Sequence, residues 1–237
     1  MERLDKLIAN ASTLSRKEVH RLIKSGAVSV DGIITKDRGF CIDPNTARVC
    51  VSGQELSLER YTYLMLNKPQ GIVSAARDDK VKTVVDLVPE QYKKKNLFPA
   101  GRLDKDTTGF VLLTDNGDFA HRILSPKNHI KKTYHARLGS PLDDKSAKLI
   151  EQGITLGDGT LCMPAEVKIL EGGETPLVEI IICEGKYHQI KRMFAAADNC
   201  VVSLKRVAMG KLCLDPSLEP GECRPLTEDE IRLIESK

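Results

Sequence analysis

The stretch GRLDKDTTGFVLLT, residues 101 to 114, places Arg102, Asp104 and Asp106 just ahead of an apolar run. A carboxylate can serve as a nucleophile or a general base, or it can join a second acid in an acid/base pair or a metal site. Asp104 and Asp106 would share a face in an extended segment and diverge in a turn. No third acid follows until Asp115, so no metal is expected. The same residues also suit a tight connection into a strand, with Asp104 bonded to nearby amides, the threonines finishing the turn and Gly109 letting the chain bend.

Three further stretches bear on that choice. The window from 119 to 142 holds no acid but carries Arg122, Lys127, Lys131, Lys132 and Arg137, with Tyr134 among them. A one-signed segment with an aromatic is what a phosphate backbone and a stacked base require, and it is also what an exposed basic loop and strand look like. In EGKYHQIKRMFAAAD, 184 to 198, a helix from about Tyr187 would bury Ile190, Met193, Phe194 and Ala197. Lys191 would then stand at the edge of that stripe, in need of a carboxylate partner, and Arg192 would stand opposite it, exposed and needing none. LMLNKPQG, 64 to 71, reads as a strand ending in a rigid turn and as scaffold.

The elements that must hold these residues fall into two textures. Leu4, Leu7, Ile8 and Ala11 recur at helical spacing. Ser15 and Glu18 then form a capping box ahead of Val19, Leu22 and Ile23, and Gly26 ends the second helix. VSVDGII at 28 to 34 is a hairpin signal, and a strand at 48 to 53 closes the unit. Lys17, Arg21 and Lys24 fall on one face of the second helix, opposite its apolar residues. From residue 61 the pattern turns to strands near 61–66, 110–114, 132–138, 165–170, 177–183 and 200–207, with helices near 117–124, 144–152 and 187–197. Thr227 and Glu230 cap a last helix. Strands outnumber helices without strict alternation, which predicts an α+β domain around a mixed, largely antiparallel sheet. The expected domains are 1–56 and 61–237, with the boundary near 56 to 60.

Composition bounds the rest. A chain of 237 residues, 41% hydrophobic and without tryptophan, can bury a core in each of two domains. Its longest apolar runs fall far short of the ~20 residues a membrane helix needs, and MERLDKLIAN lacks the character of a secretory signal, so a cytoplasmic protein with no membrane partner is expected. Seven cysteines include no C-x-x-C pair, which argues against zinc and disulfides. The net charge of +3 says little by itself, so a nucleic-acid partner has to be argued from where the cations sit.

Two helices, the second basic, followed by a DG hairpin and another strand within residues 1 to 55, resemble the small RNA-binding domain first recognised in ribosomal small-subunit protein four. Behind it, GRLDKDTTG, then KTY, then EGKYHQIKRMFAA resemble the ribosomal RNA pseudouridine synthases, and within them the RsuA-type enzymes that modify small-subunit (16S) RNA. The resemblance covers essentially the whole chain. It implies an isomerase without a cofactor, acting as a monomer on structured ribosomal RNA or an assembly intermediate. Asp104 would be the catalytic aspartate, attacking sugar or base or removing a sugar proton. Lys191 would be its cation and Tyr134 the base-stacking tyrosine, with Arg102 meeting phosphate or the vacated space. Arg16, Lys17, Arg21 and Lys24 would bind RNA. The YHQ triplet at 187 to 189 favours the small-subunit branch over the large-subunit one.

Two readings of other classes compete. A non-catalytic RNA-binding or ribosome-assembly protein would be expected to lose Asp104 or its basic partner, and both are present. A hydrolase built on Asp104 and Asp106 would need both acids.

Overall fold

The structure is a computed structural model that describes all residues except Thr13, Asn45, Ser57, Glu59, Arg60, Lys94, Lys95 and Lys237. The chain divides into two compact units, Met1–Thr62 with Pro89–Leu97, and Tyr63–Val88 with Phe98–Lys237. Within the expected boundary at 56 to 60, Ser57, Glu59 and Arg60 lie outside the described residues.

The first unit opens with β1 (Glu2–Arg3), α1 (Leu4–Ala11) and α2 (Arg16–Ser25). The capping box at Ser15 and Glu18 satisfies two backbone donors where α2 begins, and Gly26, at φ 79, ends the helix in the left-handed conformation that glycine adopts without strain. Then β2 (Val28–Val30) and β3 (Ile33–Ile34) form the expected hairpin, with Asp31 and Gly32 at positive φ between them. β4 (Cys41–Ile42) pairs with β1, and β5 (Val49–Val51) pairs with β2. The single closing strand expected over 48 to 53 is interrupted. Ser52 and Gly53 take positive φ, and the chain turns back as β6 (Gln54–Leu56), a second hairpin whose turn lacks the Asp-Gly signature of the first. The buried residues Leu4, Ile8, Val19, Ile23, Val28 and Val49 form its core.

In the second unit, β7 (Tyr63–Lys68), β8 (Phe98–Pro99), β9 (Thr108–Thr114), β10 (Lys132–Leu138), β11 (Glu166–Glu171), β12 (Leu177–Ile182), β13 (Val201–Met209), β14 (Leu212–Cys213) and β15 (Cys223–Pro225) build one mixed sheet. Its order is β11-β12-β10-β13-β9-β7-β15, with β14 on β13 and β8 on β9. Only the β13–β9 pairing is parallel among the described strands, so the sheet is mixed and largely antiparallel, as expected. The helices are α3 (Gly117–Leu124), α4 (Asp144–Gln152), α5 (Gln189–Ala196) and α6 (Glu228–Glu235), the last with its capping box at Thr227 and Glu230.

That parallel seam explains one glycine. Gly109 pairs with Arg206 at φ 97, and a Cβ there would stand 2.2 Å from the Arg206 carbonyl oxygen. No larger residue allows β13 and β9 to come this close.

One polar cluster in the first unit should be felt in its stability. The buried Asp5 accepts hydrogen bonds from the Arg3 guanidinium at 3.0 Å and lies 2.9 Å from the His20 ring. The hydrogen bonds from Arg3 hold its carboxyl well below the usual carboxylate range, against burial pushing it up. The folded state therefore favours the ionised form. Its stabilisation is complete above the unfolded carboxylate pKa of about 4 and fades as pH falls below it. Asp5→Asn should cost about 2 kcal/mol at pH 7, a loss that shrinks towards pH 3, read from urea unfolding of the full chain at both values.

Candidate active site

A cleft in the second unit is lined by residues from three separated stretches, Arg102, Leu103, Asp104 and Thr107 in the first, Tyr134 on β10, and Ile182, Gly185, Lys186 and His188 through Lys191 in the third, joined by Leu204 on β13. Asp104 is the only carboxylate among these lining residues. It begins a turn that leads into β9, closed by the Thr107 amide donating to the Asp104 carbonyl at 3.1 Å. The Leu103 amide donates to the Ser74 hydroxyl oxygen. The local turn and the site are thus the same residues, and the structural and chemical accounts of GRLDKDTTG are compatible.

Beneath the turn lies Lys68, whose side chain is completely buried at the end of β7. Its ammonium donates to the carbonyls of Pro69 at 3.1 Å, Lys105 at 3.2 Å and Thr107 at 2.8 Å. The Gly71 amide, from the turn after β7, also donates to the Lys105 carbonyl at 2.8 Å. Burial pushes Lys68 down to about 8, while the nearby Asp106 and Asp104 pull the other way.

Two groups face the Asp104 carboxylate. His188 Nε2 lies 3.5 Å from Oδ1, and Lys191 Nζ lies 3.5 Å from Oδ2. Lys191 makes its shorter contact, 2.5 Å, with Asp106 Oδ1. That hydrogen bond holds the Asp106 carboxyl below its usual range. Lys191 is therefore shared. Asp106, about 60% exposed and outside the cleft lining, acts as an outer brace for it, not as a twin of Asp104.

Tyr134 is 7% exposed on the buried face of β10, and Arg206 on the adjacent β13 stands 6.0 Å from its ring centroid. Arg206 is itself buried, held by a 2.7 Å hydrogen bond from Nε to the Phe110 carbonyl. Arg102 is exposed at the rim.

Residues 62–196 match the family model of RNA pseudouridylate synthases, and residues 2–46 match that of the S4 domain. The chain belongs to the RNA pseudouridine synthase family. It is 47% identical over 98% of its length to a Bacillus subtilis (strain 168) protein named an uncharacterized RNA pseudouridine synthase, YtzG, and covers 98% of that protein. It is 44% identical to the Escherichia coli (strain K12) ribosomal small subunit pseudouridine synthase A, covering 98% of this chain and 99% of that one. A crystal structure of a pseudouridylate synthase, 40% identical, superposes with a TM-score of 0.67 over 99% of this chain and 100% of that one.

Not every cation of this synthase sits as its sequence suggests. The acid-free window from 119 to 142 is not acid-free in space. Arg122 pairs with Glu235, Lys131 with Glu166 and Arg137 with Glu171, all acids distant in sequence. Lys132 is buried, donates to the Ile130 carbonyl at 3.0 Å, and is pushed down to about 8 mainly by that burial. The window is therefore largely internal bracing. Arg192, expected to need no partner, pairs at 2.6 Å with Asp158 and donates to the Tyr187 carbonyl at 3.3 Å.

The helix expected from Tyr187 starts at Gln189, because His188 takes the left-handed conformation at φ 49 and breaks the run. The buried Gln189 then ties the preceding loop together. Its Oε1 accepts from the Lys186 amide at 2.9 Å, and its Nε2 donates to the buried Glu184 at 2.7 Å. Sequence reasoning missed Lys68, His188 and Arg206 as site residues. A lysine directly after the apolar run Leu64–Leu66 and Asn67, and just before Pro69, was the available signal for the first.

Lys68→Met would take the ammonium donor from the Pro69 and Thr107 carbonyls and leave Lys105 with the Gly71 amide alone, so unfolding should become easier by on the order of 3 kcal/mol at pH 7. Between pH 8 and 10.5 the unfolded chain holds a proton that folded Lys68 has released, so wild-type stability rises with pH through that window relative to the variant. The cost of the substitution should therefore grow from pH 8 to pH 10.5, checked by paired urea titrations.

Proposed function

We propose that this enzyme converts a uridine of small-subunit ribosomal RNA to pseudouridine, with Asp104 as its catalytic aspartate. The observation that carries the assignment is that Asp104 is the single carboxylate lining a cleft that also presents Tyr134, the Lys191 ammonium and the His188 ring. The full-length likeness to proteins named for the small ribosomal subunit supports that target over the large subunit.

The reaction breaks the bond from the ribose C1′ to N1 of uracil, turns the base, and joins C1′ to C5. The hydrogen on C5 leaves as a proton, and N1 ends carrying one. Electrons are conserved, so no redox cofactor is required. Attack on the sugar, attack on the base and removal of a sugar proton all demand an ionised carboxylate, and Lys191 is placed to offset its charge. The uridine has to leave its stack to reach the site, at a cost of a few kcal/mol that pocket contacts must offset. Tyr134, with Arg206 behind it, offers the stacking surface, and Arg102 at the rim suits phosphate.

Docking falls to α2. Arg16, Lys17, Arg21 and Lys24 are all exposed, while Val19 and Ile23 on the same helix are buried. Lys17→Ala combined with Arg21→Ala should weaken binding to 16S RNA and lower the log–log salt slope by about 0.7 to 0.9 per lost phosphate contact. A slope that does not move would remove α2 from the interface.

Release of tritium from RNA labelled at uridine C5 tests the chemistry directly, because only bond formation at C5 expels that hydrogen. The wild type should release it from small-subunit RNA or its assembly intermediates. Asp104→Asn should bind the same RNA and release none. Binding without release by either protein would favour a non-catalytic assembly factor.

A further inference from the structure

Next to Asp104 the loop ahead of α5 carries an aromatic that the reaction does not use. Tyr187 is 76% exposed, yet its ring is fixed. It stacks on the His188 ring with centroids 3.9 Å apart and planes inclined by 17°, and the same His188 lies 3.5 Å from the catalytic carboxylate. Because one ring face is on His188 and the residue is still so exposed, the other face is open.

The loop that presents this ring is pinned on all sides. Gln189 bonds the Lys186 amide and Glu184, and Arg192 holds the Tyr187 carbonyl. Glu184 also accepts the Met163 amide at 2.9 Å and pairs with the Lys186 ammonium at 2.8 Å. The left-handed turn at His188 then leaves Tyr187 facing outward. Packing gains nothing from a large aromatic held in water this way. A nucleic acid does, because a base drawn from its stack leaves a neighbour with a bare face, and a rigid aromatic at the rim can cover it whatever that neighbour's identity. A cation suited to an adjoining phosphate stands at the same rim, the exposed Arg102.

We infer that Tyr187 is a second stacking platform, taking the nucleobase adjacent to the uridine that enters the cleft, with His188 as its backing. Tyr134 stacks the target inside and Tyr187 stacks its neighbour outside. This rests on the proposed reading of the cleft as a uridine site in ribosomal RNA.

The test uses Tyr187→Ala and Tyr187→Phe in the full chain. Binding to 16S RNA is measured in the Asp104→Asn background, and tritium release in the active one. Loss of one base stack should raise Kd and KM about 10- to 100-fold in Tyr187→Ala with a smaller change in kcat, and Tyr187→Phe should restore both, since stacking needs no hydroxyl. Urea unfolding should be unchanged, because the side chain is exposed.

Once the modified uridine is mapped on the wild-type product, single abasic substitutions at its two neighbours localise the contact. One of them should weaken binding to the Asp104→Asn protein and have no further effect when Tyr187→Ala is added. Wild-type Kd and KM in Tyr187→Ala, or full additivity with both abasic sites, would overturn the platform. If the wild type releases no tritium at all, the functional reading fails instead, and the Kd arm still reports whether Tyr187 touches RNA.

Discussion

The buried ammonium of Lys68 is the contact on which the turn that carries Asp104 depends. A turn carrying a reactive carboxylate into a cleft has to aim its side chain outward, which leaves its carbonyls pointing back into the protein. Inward carbonyls are costly to bury without donors. Lys68 meets two of them, at Lys105 and Thr107, together with the carbonyl of Pro69, and its charge lies beneath the segment that holds Asp104 and Asp106. Burial penalises that charge more than the two carboxylates offset, so its hold on the turn rests on its hydrogen bonds. The glycine at 109 completes the arrangement, since it lets β9 lie directly against β13 and brings the Asp104 turn on one strand near Leu204 and Arg206 on the other.

From that anchor the geometry of the cleft follows. β10 pairs with β13 so that Tyr134 is opposite Arg206, which places the aromatic across from the turn. α5 supplies Lys191 one residue beyond the buried Ile190, at the boundary between core and cleft. That boundary position lets one ammonium serve two carboxylates, a short bond to the exposed Asp106 and a longer approach to Asp104. The shorter bond leaves Lys191 oriented while Asp104 keeps oxygen lone pairs available for substrate. A cation bonded tightly to Asp104 itself would compete with the reaction.

How much of this was legible in the sequence depended on whether the cause was local. Both capping boxes, the Asp31-Gly32 hairpin, the alternating strand at 132 to 138 and the buried stripe of α5 are set by neighbours a few residues away, and each formed where the pattern put it. The ordered motifs also marked Asp104, Tyr134 and Lys191, which the fold brings to one cleft. What escaped was set by distant partners. Nothing near Lys68 in sequence announces three carbonyls, two of them some forty residues on. Nothing near Arg137 announces Glu171, so a run of cations looked like a phosphate track. The start of α5 slipped because a single left-handed residue, His188, outweighs helical periodicity and cannot be read from composition.

The same pairing divides labour between the two units. In the second unit most cations of the basic window already have partners within the chain, acids for Arg122, Lys131 and Arg137 and a carbonyl for Lys132. In the first, Glu18 is bonded to Ser15 at the start of α2, and Arg16, Lys17, Arg21 and Lys24 make no ion pair among the described residues. Exposed, unmatched charge is what releases counterions on meeting a phosphate backbone, whereas a half-buried lysine between two carboxylates is far less sensitive to salt. Affinity carried by α2 should therefore follow ionic strength closely, while the chemistry at Asp104 follows it weakly. A net charge of only +3 does not oppose this, because Lys17, Arg21 and Lys24 concentrate unpaired positive charge locally on one face of α2.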